Sequence, residues 1–311
     1  MPWQKVLLQF YREFPIVLDD VRSEDASAGS PDFELWKVMG DELLYTCSVS
    51  SEQEIDTAIA VWIRAMRRYE RKHLSDEGLK LLGAPRLGVK GAAFVGTFPG
   101  PDNEASIPRR VEVELDRITD VVELDRMTLA ARRREADYFY DYFGPSIDTG
   151  FRIIGQSDAR FFAVSVEVAM ALAAVRIDCG STGFEDALCY RGSVSLKGVW
   201  GGHDYPLLAL DLGRWAPVNS EVVAFDESKY SVEKILALCI ACYESVDWPF
   251  MLYLPGSSGF GDVPDLKVVP EHSMRGYVPV PRARGFTEKA MRESKRAIDV
   301  PADVLEDDSP A

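Results

Sequence analysis

Trp36-Lys37-Val38-Met39-Gly40-Asp41-Glu42-Leu43-Leu44-Tyr45-Thr46 consists of two short apolar runs joined by Gly40-Asp41. The pattern predicts a β-hairpin with a carboxylate at its tip and a lysine four residues earlier on the incoming strand. On the downstream side, Ser51 and Glu54 form a capping box. The helix it opens runs to about His73, with Ile55, Ala58, Ile59, Trp62, Met66 and Tyr69 on one apolar face. On the upstream side, Trp3, Val6, Leu7, Phe10, Tyr11 and Phe14 recur at helical spacing, and Pro15 is expected to weaken that helix. Residues 22–31 read as a loop by composition.

Further along, residues 87–97 read as a buried strand and residues 99–108 as a loop. Alternation at Val111, Val113 and Leu115 suggests a strand, followed by a charged helical stretch ending near Glu135. Pro145 suits the first turn of a helix starting at Gly144. Residues 161–165 read as a strand, 166–174 as a helix, and 186–199 and 205–212 as strands. The order is that of an α+β fold with helices packed on a sheet. A composition shift near residue 226 sets off an accessory region, 226–299, from a first domain, 1–225. That region carries a helix at 231–247, a Gly- and Pro-rich stretch at 255–285 and a charged, helical 287–299. Residues 300–311 read as an acidic disordered tail.

Composition narrows the function. With 47% apolar residues among 311 the chain can bury a core. A net charge of −15 disfavours nucleic acid and anionic lipid as partners. No apolar run reaches membrane-span length, no leader-like segment opens the sequence, and five cysteines show no framework, so a cytoplasmic protein is expected. Cys239-Ile-Ala-Cys242 lies in an apolar helical run and reads as buried thiols. The three histidines are far apart, and neither a Gly-x-Gly-x-x-Gly motif nor a P-loop occurs.

Three further segments add to the hairpin: Lys90-Gly-Ala-Ala-Phe94, Asp141-Tyr-Phe-Gly-Pro-Ser-Ile-Asp-Thr-Gly-Phe-Arg152 and Leu196-Lys-Gly-Val199. In this order the chain resembles the class III nucleotidyl cyclases over roughly residues 1–215. The details are most similar to the pyrimidine nucleotide cyclases of bacterial antiphage (Pycsar) systems. The resemblance implies a ferredoxin-type βαββαβ sheet and a head-to-tail homodimer holding a nucleoside triphosphate at its interface. Two divalent ions, Mn²⁺ or Mg²⁺, would assist release of pyrophosphate and formation of cyclic UMP or cyclic CMP. That product would act on a cyclic-nucleotide-activated effector.

Residue by residue, the resemblance implies that Asp41 is a metal ligand and that Lys37 and Asp141 recognise the base. Arg152 would stabilise charge on the transferred phosphoryl group, and Lys197 would meet the phosphates. Asp148 stands where adenylyl and guanylyl cyclases carry asparagine. Asp148 and Arg152 lie four apart, so they can share a site or pair on a surface. Tyr45 could narrow a pocket against purines. Lys37 and Lys197 read equally as structural lysines. The family's first metal aspartate lies on a strand before the opening helix, and such a strand is expected upstream of Met1. Asp19 and Asp20 follow the helix and are not assigned to that role. The alternative reading is a catalytically inactive cyclase-like module that binds nucleotide or a partner. A ferredoxin-like interaction domain that matches these segments by chance is a third.

Overall fold

The computed structural model describes residues 2–24, 31–75, 87–98, 100–110, 121–131, 137–179, 187–213, 221, 227–259 and 263–269. The chain divides into two units, Met1–Tyr277 and Val278–Ala311, and the second lies wholly outside the described residues. The expected strand at 111–115, the helix at 287–299 and the acidic tail also fall outside them.

The described elements are α1 (Pro2–Glu24), β1 (Phe33–Met39), β2 (Glu42–Cys47), α2 (Glu52–His73), β3 (Ala92–Ala93) and β4 (Asn103–Pro108), followed by α3 (Val121–Ala131), β5 (Tyr138–Phe143), α4 (Pro145–Ile154), β6 (Phe161–Val164) and α5 (Val166–Cys179). The last are β7 (Ala187–Ser195), β8 (Asp204–Asp211) and α6 (Val232–Tyr243). The class is α+β, as expected. Its strands form a four-stranded sheet in the order β3-β6-β8-β7 and two separate two-stranded sheets, the β1-β2 hairpin and the β4-β5 pair. Only the β3–β6 pair is parallel. Among the described residues, then, the strands do not join into one ferredoxin-type sheet.

Two local expectations change for physical reasons. Helix α1 continues through Pro15, with Phe14, Val17, Leu18 and Val21 all buried in the core. Burial of that continued face offsets the hydrogen bond Pro15 cannot donate. The segment read as a loop, 99–108, contains β4, which pairs with β5 from Asn103↔Phe143 to Pro108↔Tyr138. Its partner lies about 35 residues away, beyond the reach of local composition. Conversely, only Ala92–Ala93 of the expected strand 87–97 pairs as strand.

Helix α5 explains the core. Every residue from Val166 to Val175 is buried. A helix apolar on all sides must be enclosed, and α5 contacts α2, α6, β7 and β8. Helix α2 starts as the capping box requires at Ser51, whose Oγ accepts the Glu54 amide at 3.2 Å. The Glu54 carboxylate accepts from the Ser50 amide at 2.7 Å, one residue earlier than in the standard box. Cys239 and Cys242 of α6 are buried free thiols, and burial holds both thiols above their ordinary range. No helix among the described residues is long and apolar enough to cross a membrane.

Candidate functional site

The β1–β2 hairpin has its turn at Gly40-Asp41, but its pairing is not regular. Leu35 faces Tyr45, and Lys37, not Trp36, faces Leu44. Trp36 is therefore the extra residue of a β-bulge, a feature that re-aims side chains. Its consequence is visible in the contacts. Trp36 Nε1 donates to Asp141 Oδ1 at 2.9 Å, and Lys37 Nζ donates to both oxygens of the same carboxylate at 2.7 and 3.0 Å. Two consecutive strand residues thus reach one acceptor, which regular alternation would forbid. The Tyr142 amide adds a 2.9 Å hydrogen bond to Asp141 Oδ1. Aromatic rings wall the cluster. Trp36 packs on Tyr142 and Phe151, Phe98 packs on Tyr142, and the Lys37 ammonium lies 4.1 Å from the Trp36 ring centre.

Helix α4 carries the Asp148–Arg152 pair. Arg152 Nε and Nη2 donate to the Asp148 carboxylate at 2.9–3.1 Å on a partly exposed face. The helix is placed by features of its own segment and by a carboxylate from another. Pro145 opens it, and Gly150 lets its backbone lie against Phe94, whose ring a Cβ would strike. Its first amides find a carboxylate from elsewhere. Asp102 Oδ1 accepts from the Ser146 amide at 2.9 Å and Oδ2 accepts from the Thr97 amide at 3.0 Å. Gly144, with φ 140°, leaves room for that carboxylate. Burial pushes the Asp102 carboxyl above the ordinary carboxylate range, against the pull of these hydrogen bonds. Asp102 was missed in the sequence because it stands in a segment read as a loop. Its only signal is an aspartate beside Gly and Pro, as in many turns.

Lys197 is exposed in the turn after β7, between buried Leu196 and Val199. The next residue, Gly198, comes close to Arg152: a Cβ there would lie 3.8 Å from Nη2. The structure therefore gathers Lys37 with Asp141, and Asp148 with Arg152 and the 197–198 turn. Phe151 links the two groups, since its ring centre lies 5.3 Å from Lys37 Nζ. Tyr45 stands apart. Its ring packs on Trp62 of α2, 5.4 Å centre to centre, and it lines a cavity of about 280 Å³ with Leu18, Phe33 and Leu35.

Asp41 is exposed at the hairpin tip, and the turn is tethered to α1 where Tyr11 Oη donates to the Gly40 carbonyl. Among the described residues no group of three or more His, Cys, Asp or Glu side chains could hold a metal. A magnesium-type ion is usually held by one or two carboxylates together with phosphates and water. Asp41 supplies one exposed carboxylate of that kind.

No family model matches this chain, and no curated protein matches it. Among solved structures, it is similar to the crystal structure of the guanylyl cyclase Cya2, with a TM-score of 0.37 and 13% sequence identity, over 67% of this chain and 80% of that one. A likeness of that strength carries no argument about fold or activity.

Proposed function

We propose that this chain is a nucleotidyl cyclase, a lyase converting UTP or CTP to the 3′,5′-cyclic nucleotide and pyrophosphate. The observation that supports it best is the meeting of Lys37 and Asp141 at 2.7 Å, 104 residues apart in sequence, with Trp36 on the same carboxylate. An ammonium donor beside a carboxylate acceptor is the complement of the donor and acceptor edge of a base. The neighbouring aromatic rings offer a surface for its face.

In this reading the ribose 3′ oxygen attacks the α-phosphorus, a new phosphorus–oxygen bond forms, and the bond to the β-phosphate oxygen breaks. The 3′ proton leaves to water. Arg152 leaves Asp148 and turns its planar fork to the charge growing on the phosphoryl oxygens. Lys197 meets the departing phosphates. Asp41 would hold Mn²⁺ or Mg²⁺, which would offset charge on the triphosphate and ease ionisation of the 3′ hydroxyl. Two copies arranged head to tail bring Asp41 of one chain to Arg152 of the other. The preference for pyrimidines and a role in antiviral signalling through an effector rest on the segment resemblance.

Incubation with ATP, GTP, CTP and UTP in Mn²⁺, with products identified by mass, tests the proposal. Cyclic UMP or cyclic CMP is expected. Purine products alone would overturn the base preference, and no cyclic product at all would overturn the activity. One observation favours a second reading, a nucleotide-binding module without turnover: Asp148 already holds Arg152 through three hydrogen bonds. Nucleotide binding without product would establish it.

A further inference from the structure

The turn after β7 is held in an unusual backbone. Trp200 has φ 45°, and Gly198, Gly201 and Gly202 are also left-handed. A bulky residue rarely adopts positive φ unless its surroundings hold it there. Within its own turn Trp200 packs on His203, 5.1 Å centre to centre, and its carbonyl accepts from the His203 amide at 3.0 Å; the rest of what holds it comes from beyond α6. Its ring meets Trp248 edge-on, 4.8 Å centre to centre. Trp248 in turn stacks on Tyr205 at 5.8 Å, meets Phe250 at 4.9 Å and donates its indole N–H to Glu167 at 3.2 Å. Glu167 is buried in the first turn of α5. The strap that follows α6, residues 247–252, is fixed again a few residues on, where Thr97 Oγ1 donates to the Met251 carbonyl at 2.7 Å and the Leu252 amide donates to Tyr243 Oη at 3.4 Å. A cavity of about 170 Å³ lies between the strap (Asp247, Phe250), the turn (Gly198, Trp200) and α4 (Pro145, Asp148).

We propose that Trp248 is a positioning residue that clamps Trp200 and so holds the Lys197–Gly202 turn beside Asp148 and Arg152. The strap is thereby part of the phosphate end of the site, and this role rests on the cyclase reading. The clamp itself does not. Lys197 is exposed, so trypsin can report on the turn, while the strap's packing is reported by the near-ultraviolet circular dichroism of the Trp200–Trp248 pair.

The test uses the full chain. Trp248→Ala is expected to raise the rate of cleavage after Lys197 at least tenfold while the unfolding midpoint moves by only a few degrees. It should also remove the aromatic signal of the indole pair. Trp248→Phe, which keeps a ring and loses the N–H, should fall between Ala and the parent. Glu167→Gln, which keeps an acceptor, should match the parent. If cyclic product is formed, Trp248→Ala should lower kcat more than it raises KM. It should also cost nothing further when Lys197→Ala is already present, because both changes act on one turn. Unchanged cleavage at Lys197 in a folded Trp248→Ala protein would overturn the clamp; if that variant does not fold, unchanged cleavage in Trp248→Phe would do so. A released turn with unchanged turnover would overturn its role in the site. A parent protein that makes no cyclic product refutes the cyclase reading instead, and the proteolysis still decides the clamp.

Discussion

Helices α1, α2, α5 and α6 share one apolar core with the four-stranded sheet, whereas the face made by the β1–β2 hairpin, β5 and α4 is assembled differently. There, two two-stranded sheets that share no strand pairing meet through Trp36, Lys37 and Asp141, and α4 is steadied by a carboxylate from another segment. Apolar burial scales with area and has no direction, while each hydrogen bond contributes only about 1 kcal/mol net but demands geometry. The core should therefore carry the stability and the polar face the precision. Substitutions on the face should change chemistry far more than they change folding.

The strongest way to break that comparison is at the chemistry. Asp41→Asn should lower turnover at least ~100-fold, and Arg152→Ala should lower kcat by ~100-fold or more with a smaller change in KM. Both side chains are partly or fully exposed, so melting temperatures should hold within a few degrees. A mixture of the two inactive proteins should regain part of the activity if subunits share the site. Activity of Asp41→Asn near that of the parent would remove this residue from the site. No recovery after verified subunit exchange would place a whole site in each chain.

Asp102 sharpens the comparison because it belongs to both sides, being buried yet holding the site helix. Asp102→Ala leaves the Thr97 and Ser146 amides without their acceptor and should cost about 2–4 kcal/mol in urea unfolding. A loss below ~0.5 kcal/mol would mean that α4 does not depend on it. Lys37→Met should raise the KM for nucleotide about tenfold at nearly unchanged stability, as expected for a partly exposed pair. Equal losses of kcat and stability would make the pair structural.

The smallest effect is the dependence on pH at Glu167. Burial pushes its carboxyl to about 7. A folded-state value above the unfolded one means that the folded protein holds the extra proton. The associated stability is complete below the ordinary value of 4.5 and is lost as pH rises through about 7. The groups facing it, Tyr205, Cys239 and Cys242, are themselves pushed upward and stay neutral in that window, while the Asp102 charge adds to the shift. Glu167→Gln is neutral throughout, so its stability relative to the parent should climb between pH 5 and 8, by on the order of 1 kcal/mol. A constant difference would show that Glu167 does not titrate there.

How much of this was legible follows from the range of each interaction. The hairpin, the Ser51 cap, Pro145 at the start of α4 and the i,i+4 spacing of Asp148 and Arg152 are local, and sequence order displays them directly. The bulge at Trp36 is not, because an extra residue in a strand is defined only by the register of its partner. Nor was β4, whose pairing depends on β5, or the Trp200–Trp248 contact, which joins segments 48 residues apart that composition had assigned to different regions. The Lys37–Asp141 contact was approached through the segment resemblance alone, since nothing local ties a strand lysine to an aspartate a third of the chain away.

The borrowed cap of α4 also has a consequence for the order in which the chain is made. At ten residues, α4 is shorter than a helix that persists alone in water, and its own cap position is Gly144, which makes no side-chain hydrogen bond. Its start therefore depends on Asp102, made 44 residues earlier. Synthesis runs from the N-terminus, so the acceptor has already emerged when residues 144–154 follow it. The helix that carries Asp148 and Arg152 can then form against a cap that is waiting for it. A circular permutant that opens the chain between Asp102 and Gly144 would reverse that order, and α4 would have to wait for its cap.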